Sequence, residues 1–347
     1  MNPNAFKRRQ FLQWGAASWL LTQLGPQLSL SAIAGDRPSA TPSQKPPRLK
    51  VGDTVGLINP SSPIEREDLD YSRQGLAKLG LKVKFGAHAL DRYGYLAGRD
   101  RDRAADVNAM FADPEVKAIL TVRGGWGGNR ILPLLDYDLV RSHPKIFMGY
   151  SDTTSLLLAL YTRAGLSTFH GPVGTSTWNE FSVGYVRQLL FEAGPAIFRN
   201  PPGFSIQTIA PGKARGRLVG GNLSVLAAMV GSIYLPSWDN TILFVEEIGE
   251  DIYRVDRMLT QLKLAGILDR ISGFIFGQCS NCSAGEGDDP SLTLPQVLSD
   301  LIRPLGVPAW YGSAIGHIPE KFTLPLGVEV EIDARQGTIA LLESAVS

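Results

Sequence analysis

The sequence predicts an α/β protein: a parallel sheet covered by helices in the first half, then a smaller β-rich domain. Three observations carry this. Short apolar, strand-like runs alternate with helical patterns between residues 49 and 161. The early apolar runs end in clusters of Gly, Pro, Ser or Asn. After Pro201-Pro202-Gly203 the pattern changes to short strand-like runs and glycines with one clear helix. Alternating units of this size form parallel sheets because each crossover helix covers a sheet face. The chain has 347 residues, 44% hydrophobic and 19% charged. At about 150 residues per domain, that is room for two packed cores.

Taken in order, residues 55–58 form an apolar strand that stops at Asn59-Pro60-Ser61-Ser62-Pro63. Residues 66–79 place Leu69, Leu76 and Leu79 on one helical face. A second strand covers 81–85, and a charged helix covers 99–112. The third strand, 118–122, runs into Arg123-Gly124-Gly125-Trp126-Gly127-Gly128, with a helix over 129–136. The fourth strand, 146–149, is followed at once by a helix over 153–161. In the second half, 242–246, 273–277 and 328–332 read as strands and 253–264 as a helix. The domain boundary is placed near residue 205, giving domains 49–204 and 205–347.

The first 34 residues read as an export signal. Lys7, Arg8 and Arg9 precede a moderately apolar stretch, and Ala32-Ile33-Ala34 offers a small-x-small cleavage site. The Arg pair followed by Gln10-Phe11-Leu12 resembles a twin-arginine signal; an ordinary secretory signal is the alternative. Residues 35–48 are rich in Pro and Ser and read as a linker. The expected location is the periplasm or another extracytoplasmic compartment. Formal net charge is +1, so composition gives no support for nucleic acid as a partner. No apolar run is long enough for an integral membrane span. Two cysteines are too few for a disulfide scaffold.

The chemistry starts at Gly149-Tyr150-Ser151-Asp152. A strand ends, a serine occupies the turn, and a helix begins. Such a turn can lift a nucleophilic hydroxyl clear of a sheet and place helix N-terminal N–H groups beside it. It can equally be a simple helix cap. A serine nucleophile needs a base, and there are four histidines: His88, His143, His170 and His317. His143 reads as exposed and His88 as a loop residue. His170 ends a strand, and His317 follows Ile315-Gly316. Spacing does not choose among them, because triads assemble in space. Glu246 ends an apolar strand, where a buried carboxylate could orient an imidazole; Glu250 and Asp251 suit a loop before a helix. The glycine loop after residue 122 lacks the spacing of a phosphate-binding loop but could lend an N–H to an oxyanion. Cys279-Ser280-Asn281-Cys282 reads as a loop disulfide or two free thiols; a zinc site would lack ligands.

Together these segments resemble a known family. Tyr95-Leu96-Ala97-Gly98, Arg123-Gly124-Gly125-Trp126-Gly127, Gly149-Tyr150-Ser151-Asp152, His170-Gly171-Pro172 and Gly220-Gly221-Asn222-Leu223 appear in order. Val245-Glu246-Glu247 with Tyr253-Arg254-Val255-Asp256-Arg257, then Gly316-His317 and Thr323-Leu324-Pro325-Leu326-Gly327, complete the pattern. It is similar to that of the LD-carboxypeptidases, or muramoyltetrapeptide carboxypeptidases, of the S66 serine peptidase family, over residues 49–342.

The resemblance implies an N-terminal domain like the class I glutamine amidotransferases, a β-rich C-terminal domain and a homodimer. It implies Ser151 as nucleophile, His317 as general base and Glu246 as its partner. The N–H groups of Asp152 and Gly125 would form the oxyanion hole. Arg123, Asn222, Arg254 and Arg257 are candidate carboxylate ligands, with Arg123 and Asn222 preferred. No metal and no cofactor are expected. The implied substrate is a peptidoglycan stem tetrapeptide, cut before its terminal D-Ala. Trp126 stands where the family more often has Tyr. Two alternatives remain at this point: a microcin-immunity-like peptidase acting on peptide–nucleotide conjugates, and a non-catalytic exported ligand-binding protein.

Overall fold

The computed structural model describes residues 44–285 and 290–347; the predicted export signal lies outside them. The first half contains β1 (Thr54–Ile58), α1 (Arg66–Ala77), β2 (Lys82–Phe85), α2 (Asp100–Ala112) and β3 (Val116–Thr121). Next come a 3-10 segment (Gly128–Leu134), α3 (Tyr137–Ser142), β4 (Ile146–Gly149), α4 (Thr154–Ala164), β5 (Phe169–His170) and α5 (Glu180–Leu190). The remaining elements are β6 (Ile197–Phe198), β7 (Gln207–Ala210), β8 (Lys213–Asn222), α6 (Leu223–Ala228), β9 (Thr241–Ile248) and α7 (Ile252–Leu264). They are followed by β10 (Ile271–Ser280), α8 (Leu294–Leu301), β11 (Ala309–Tyr311), β12 (Leu324–Pro325), β13 (Glu329–Asp333) and β14 (Thr338–Leu341).

The first sheet has the order β12-β5-β4-β3-β1-β2. All its pairings are parallel except β12 against β5. β3 and β4 are almost wholly buried, as expected of parallel strands covered on both faces. The second sheet has the order β6-β14-β13-β8-β9-β10-β11-β7. Its centre, β8 to β11, is also parallel; antiparallel strands flank it on both sides.

Several expectations are corrected. The segment predicted as a helix over 129–136 is a 3-10 segment over Gly128–Leu134 that contains Pro133. Among the described residues the second half holds three α-helices, α6, α7 and α8, rather than one. The linker expected to run to residue 48 is part of the fold from residue 44. Gln44 N–H donates to Gly165 O (2.6 Å), Arg48 N–H to Ser347 O (3.0 Å), and Lys45 pairs with Glu343 (2.6 Å). The chain also crosses between sheets on both sides of residue 205. β6 joins the second sheet from before it, and β12 joins the first from after it.

This exchange of strands places the site. Loops leaving the C-terminal ends of the adjacent strands β1, β3 and β4 converge, as crevices at such ends do in α/β sheets. The segment joining β11 to β12 passes from the second sheet to the first. It is held there by Asn179 and Ser182 at the start of α5: Asn179 Nδ2 donates to Pro319 O (2.9 Å), and Lys321 N–H to Ser182 Oγ (3.0 Å). Phe322 then packs among Phe181, Tyr185 and Phe198.

Candidate active site

Ser151 follows β4 directly and has φ 63°, in the left-handed region. A side chain there costs about 1–2 kcal/mol, a strain commonly stored at functional sites. The turn is held by Asp152, which is buried. Its Oδ2 accepts from Ser61 Oγ (2.6 Å) and Gly128 N–H (2.7 Å), tying the loops after β1 and β3 to the serine turn. Burial pushes the Asp152 carboxyl up in pKa, while those hydrogen bonds pull the other way. Arg103, wholly buried on α2, reinforces the same loops by donating to Pro60 O and to Gly127 O (2.9 Å), with Asp100 as its ion-pair partner (2.6 Å).

The glycine loop borders the serine. A methyl group added at Gly124 would lie 2.7 Å from Ser151 Cβ and 2.9 Å from its Oγ. Gly125 has φ +125°, and a methyl there would collide with Ser62 Oγ. Glycine is therefore required for this backbone to run against the hydroxyl.

His317 and Glu246 form the second half of the site. His317 Nδ1 lies 2.8 Å from Glu246 Oε2; the carboxylate is fully buried and the imidazole mostly so. Gly316, at φ +114°, makes the pairing possible, since a Cβ there would lie 2.5 Å from Glu246 Oε2. Ser280 Oγ donates to the His317 carbonyl (3.0 Å). Ser280 lies within the Cys279–Cys282 disulfide, the first of the two states left open for this pair. Tyr150 packs edge-on against His317, with ring centres 4.8 Å apart.

Alternation along β9 sends Glu247 to the face opposite Glu246. Glu247 accepts from Asn222 Nδ2 (2.9 Å), Ile248 N–H (2.9 Å), Ser224 N–H (2.8 Å) and Ser224 Oγ (2.7 Å). Burial nevertheless pushes its pKa up. Asn222, proposed from sequence as a substrate ligand, caps α6 through Val225 N–H (3.2 Å) and lines the cleft. Arg123 is exposed at the cleft, with a long contact to Pro63 O (3.5 Å). Arg254 and Arg257 instead stack on Tyr253 and are absent from the cleft wall.

The cleft encloses about 1190 Å³ and is shared by Ser151, Asp152, Gly125, Arg123, Asn222 and His317. Tyr95 and Trp126 stand at it 64% and 63% exposed. Of the four histidines, His88 and His143 are elsewhere. His88 pairs with Asp91, and with Asp102 these offer ligand atoms within 4.8 Å of one another, away from the cleft wall. His170 is close to the site but buried. Its ring meets Tyr150 at 6.0 Å and Phe244 at 5.3 Å, and its Nδ1 has no hydrogen-bond partner. Burial pulls its pKa down to about 4, so it stays neutral at working pH. Unfolding lets it return to its ordinary value of 6.5. Its contribution to stability is therefore complete above pH 6.5 and is lost as pH falls from there toward 4. The melting temperature of His170→Gln is expected to fall less between pH 7 and 4.5 than that of the wild type; equal slopes would exclude His170 as a source of acid lability.

Sequence reading missed the clamping roles of the Asp152 side chain, Arg103 and Ser61. It also missed the contact of Tyr150 with His317, although Tyr150 stood in the motif.

A strained serine after a parallel strand, opening into a cleft with a histidine backed by a buried glutamate, has the layout of a serine hydrolase. Residues 55–171 match the LD-carboxypeptidase N-terminal domain, and residues 215–332 match the LD-carboxypeptidase C-terminal domain. The chain belongs to this peptidase family, S66. It is 41% identical over 309 residues to a probable murein peptide carboxypeptidase of Bacillus subtilis (strain 168), covering 87% of this chain and 95% of that protein. Its fold matches that of MccF in complex with glutamyl sulfamoyl guanosine with TM-score 0.79 and 28% identity, covering 87% of this chain and 99% of that one. A muramoyltetrapeptide carboxypeptidase from Oxalobacter formigenes matches with TM-score 0.73 and 28% identity, covering 83% and 97%.

Proposed function

We propose that this protein is a serine carboxypeptidase that hydrolyses the L–D bond before the terminal D-Ala of peptidoglycan stem tetrapeptides. The observation that carries the mechanism is the 2.8 Å pairing of His317 with buried Glu246 at the cleft that holds strained Ser151. His317 takes the Ser151 proton as the hydroxyl attacks the scissile carbonyl. The N–H groups of Asp152 and Gly125 receive the oxyanion. His317 passes the proton to the leaving amine of D-Ala, and water then releases the acyl group from Ser151. Glu246 holds the imidazole and balances its charge after proton transfer. No step in this scheme requires a metal or cofactor.

A carboxypeptidase must recognise a terminal carboxylate, and Arg123 suits this role. Arg130, the other arginine at the cleft, is held by both oxygens of Asp100 (3.1 and 2.8 Å), whereas among the described residues Arg123 has only its long carbonyl contact. Arg123→Met is expected to raise KM about tenfold with kcat nearly unchanged, as loss of uniform binding does. A drop in kcat alone, measured by steady-state kinetics, would reject this assignment.

A second reading, cleavage of peptide–nucleotide conjugates, is favoured by exposed Tyr95 and Trp126, whose faces could stack on a base. The deciding experiment incubates the protein with a muropeptide tetrapeptide and with an aminoacyl-nucleotide conjugate, beside a Ser151→Ala control, and follows products by mass spectrometry. Loss of one alanine from the tetrapeptide supports the first reading; cleavage of the conjugate alone supports the second. The export signal at residues 1–34 would place the enzyme in the periplasm or a similar compartment, with cell-wall peptide at hand. A homodimer, implied by the family resemblance, completes the proposal; light scattering tests it.

A further inference from the structure

One buried charged side chain near the site has no part in the scheme above. Lys321 follows His317 by four residues and is 4% exposed. Its ammonium lies 5.2 Å from the centre of the Tyr150 ring, and that ring lies against His317. Building on the triad proposed above, we propose that Lys321 is a positioning residue for catalysis. Its ammonium steadies the Tyr150 ring that borders His317 and supplies a positive charge beside the Glu246–His317 pair.

The argument begins with Glu246. It has no exposure; Oε2 is used by His317, and among the described residues Oε1 has no hydrogen-bond partner. A carboxylate buried in this way is costly as an anion unless a positive charge lies nearby. His317 provides that charge only after it has accepted the proton. His170 does not provide it, because burial keeps it neutral. Lys321 is within electrostatic reach of Glu246 without bonding to Oε1. The groups around its ammonium are Glu246 from β9, His170 from β5, Tyr150 from the turn after β4, and Glu320 on its own segment.

The surroundings fix this position. The Lys321 N–H is bound by Ser182, and Phe322 is locked in the aromatic cluster. The ammonium is therefore held against the face of Tyr150, where the ring quadrupole attracts it. Burial pulls Lys321 down to about 8, so the charge is present at neutral pH and lost above that value. Activity should then fall as pH rises through about 8.

The test uses the mature protein and the variants Lys321→Met and Lys321→Arg. Two readouts are taken from pH 6 to 10. One is kcat and KM for D-Ala release; the other is the rate at which a small fluorophosphonate phosphonylates Ser151 with loss of fluoride, followed by intact mass. Lys321→Met should lower kcat and the phosphonylation rate about 10- to 100-fold, leave KM within about twofold, and remove the alkaline limb. Lys321→Arg should keep most of the activity and move the limb to higher pH. Wild-type rates in Lys321→Met, or an unmoved limb in Lys321→Arg, would overturn the proposal. If Lys321→Met fails to fold, the Lys321→Arg profile decides alone. A wild type that is phosphonylated by the probe but releases no alanine would reject the substrate reading and leave this test intact. A wild type inactive in both assays would overturn the triad and Lys321 together.

Discussion

Replacing Ser151 with alanine is expected to cost at least about 10⁴-fold in kcat with the fold unchanged, because the nucleophile is lost while binding remains. The informative companion is Ser151→Gly. At φ 63° any residue with a Cβ is strained, and alanine retains that strain. Glycine relieves it, against the extra chain entropy that glycine loses on folding. The glycine variant should therefore be more stable than the alanine variant by about 1 kcal/mol, with a melting temperature higher by about 2–4 °C. Both should be inactive. Equal melting temperatures would show that the turn relaxes around alanine and that the strain belongs to the hydroxyl's placement. Measurable turnover by Ser151→Ala would remove the serine from the chemistry.

The second large effect is expected from Glu246→Gln. The amide is nearly isosteric, so the close fit under Gly316 is kept. What changes is charge and polarity: the amide no longer stabilises an imidazolium, and its NH₂ can donate to Nδ1 and favour the wrong tautomer. The equivalent change in a Ser-His-Asp enzyme lowers kcat about 10⁴-fold, and a loss of about 10³–10⁴-fold is expected here. Steady-state kinetics with a circular-dichroism control measures it. A loss below about tenfold would mean that Glu246 is only a packing partner of His317. The Lys321 proposal adds a comparison. If Lys321 acts through Glu246, combining Glu246→Gln with Lys321→Met should cost much less than the two losses multiplied.

Much of the first sheet was legible because β1, β3 and β4 are mostly apolar and are followed by turn residues. Segments that lack such a pattern were missed. β8 carries three glycines and reads as loop, and its strand identity comes from pairing with β9 and β13. α5 is short and contains aromatic and β-branched residues; its N-cap Asn179, bonded to Ser182 N–H, was the available signal. α8 spans eight residues, with a Thr293–Gln296 capping box that was not noticed. Arg103, Asp152 and Lys321 were illegible for a common reason. Periodicity treats charged residues as exposed, and their burial here is offset by partners distant in the chain.

The sequence by itself determined that a serine sits in a strand-to-helix turn and that a glutamate closes an apolar run, although β9 continues past it to Ile248. These are local facts, set by steric preference and periodicity over a few residues. Spacing left open which of four histidines meets Glu246; the family resemblance named His317, and the tertiary structure shows the contact. That contact joins residues 71 apart in the chain and depends on a segment crossing from the second sheet to the first. It likewise decided that His170 is sealed in beside the site while His317 lines the cleft, and that a lysine lies buried behind them. Contacts of this kind form only when two sheets exchange strands, and no local pattern of side chains records that exchange.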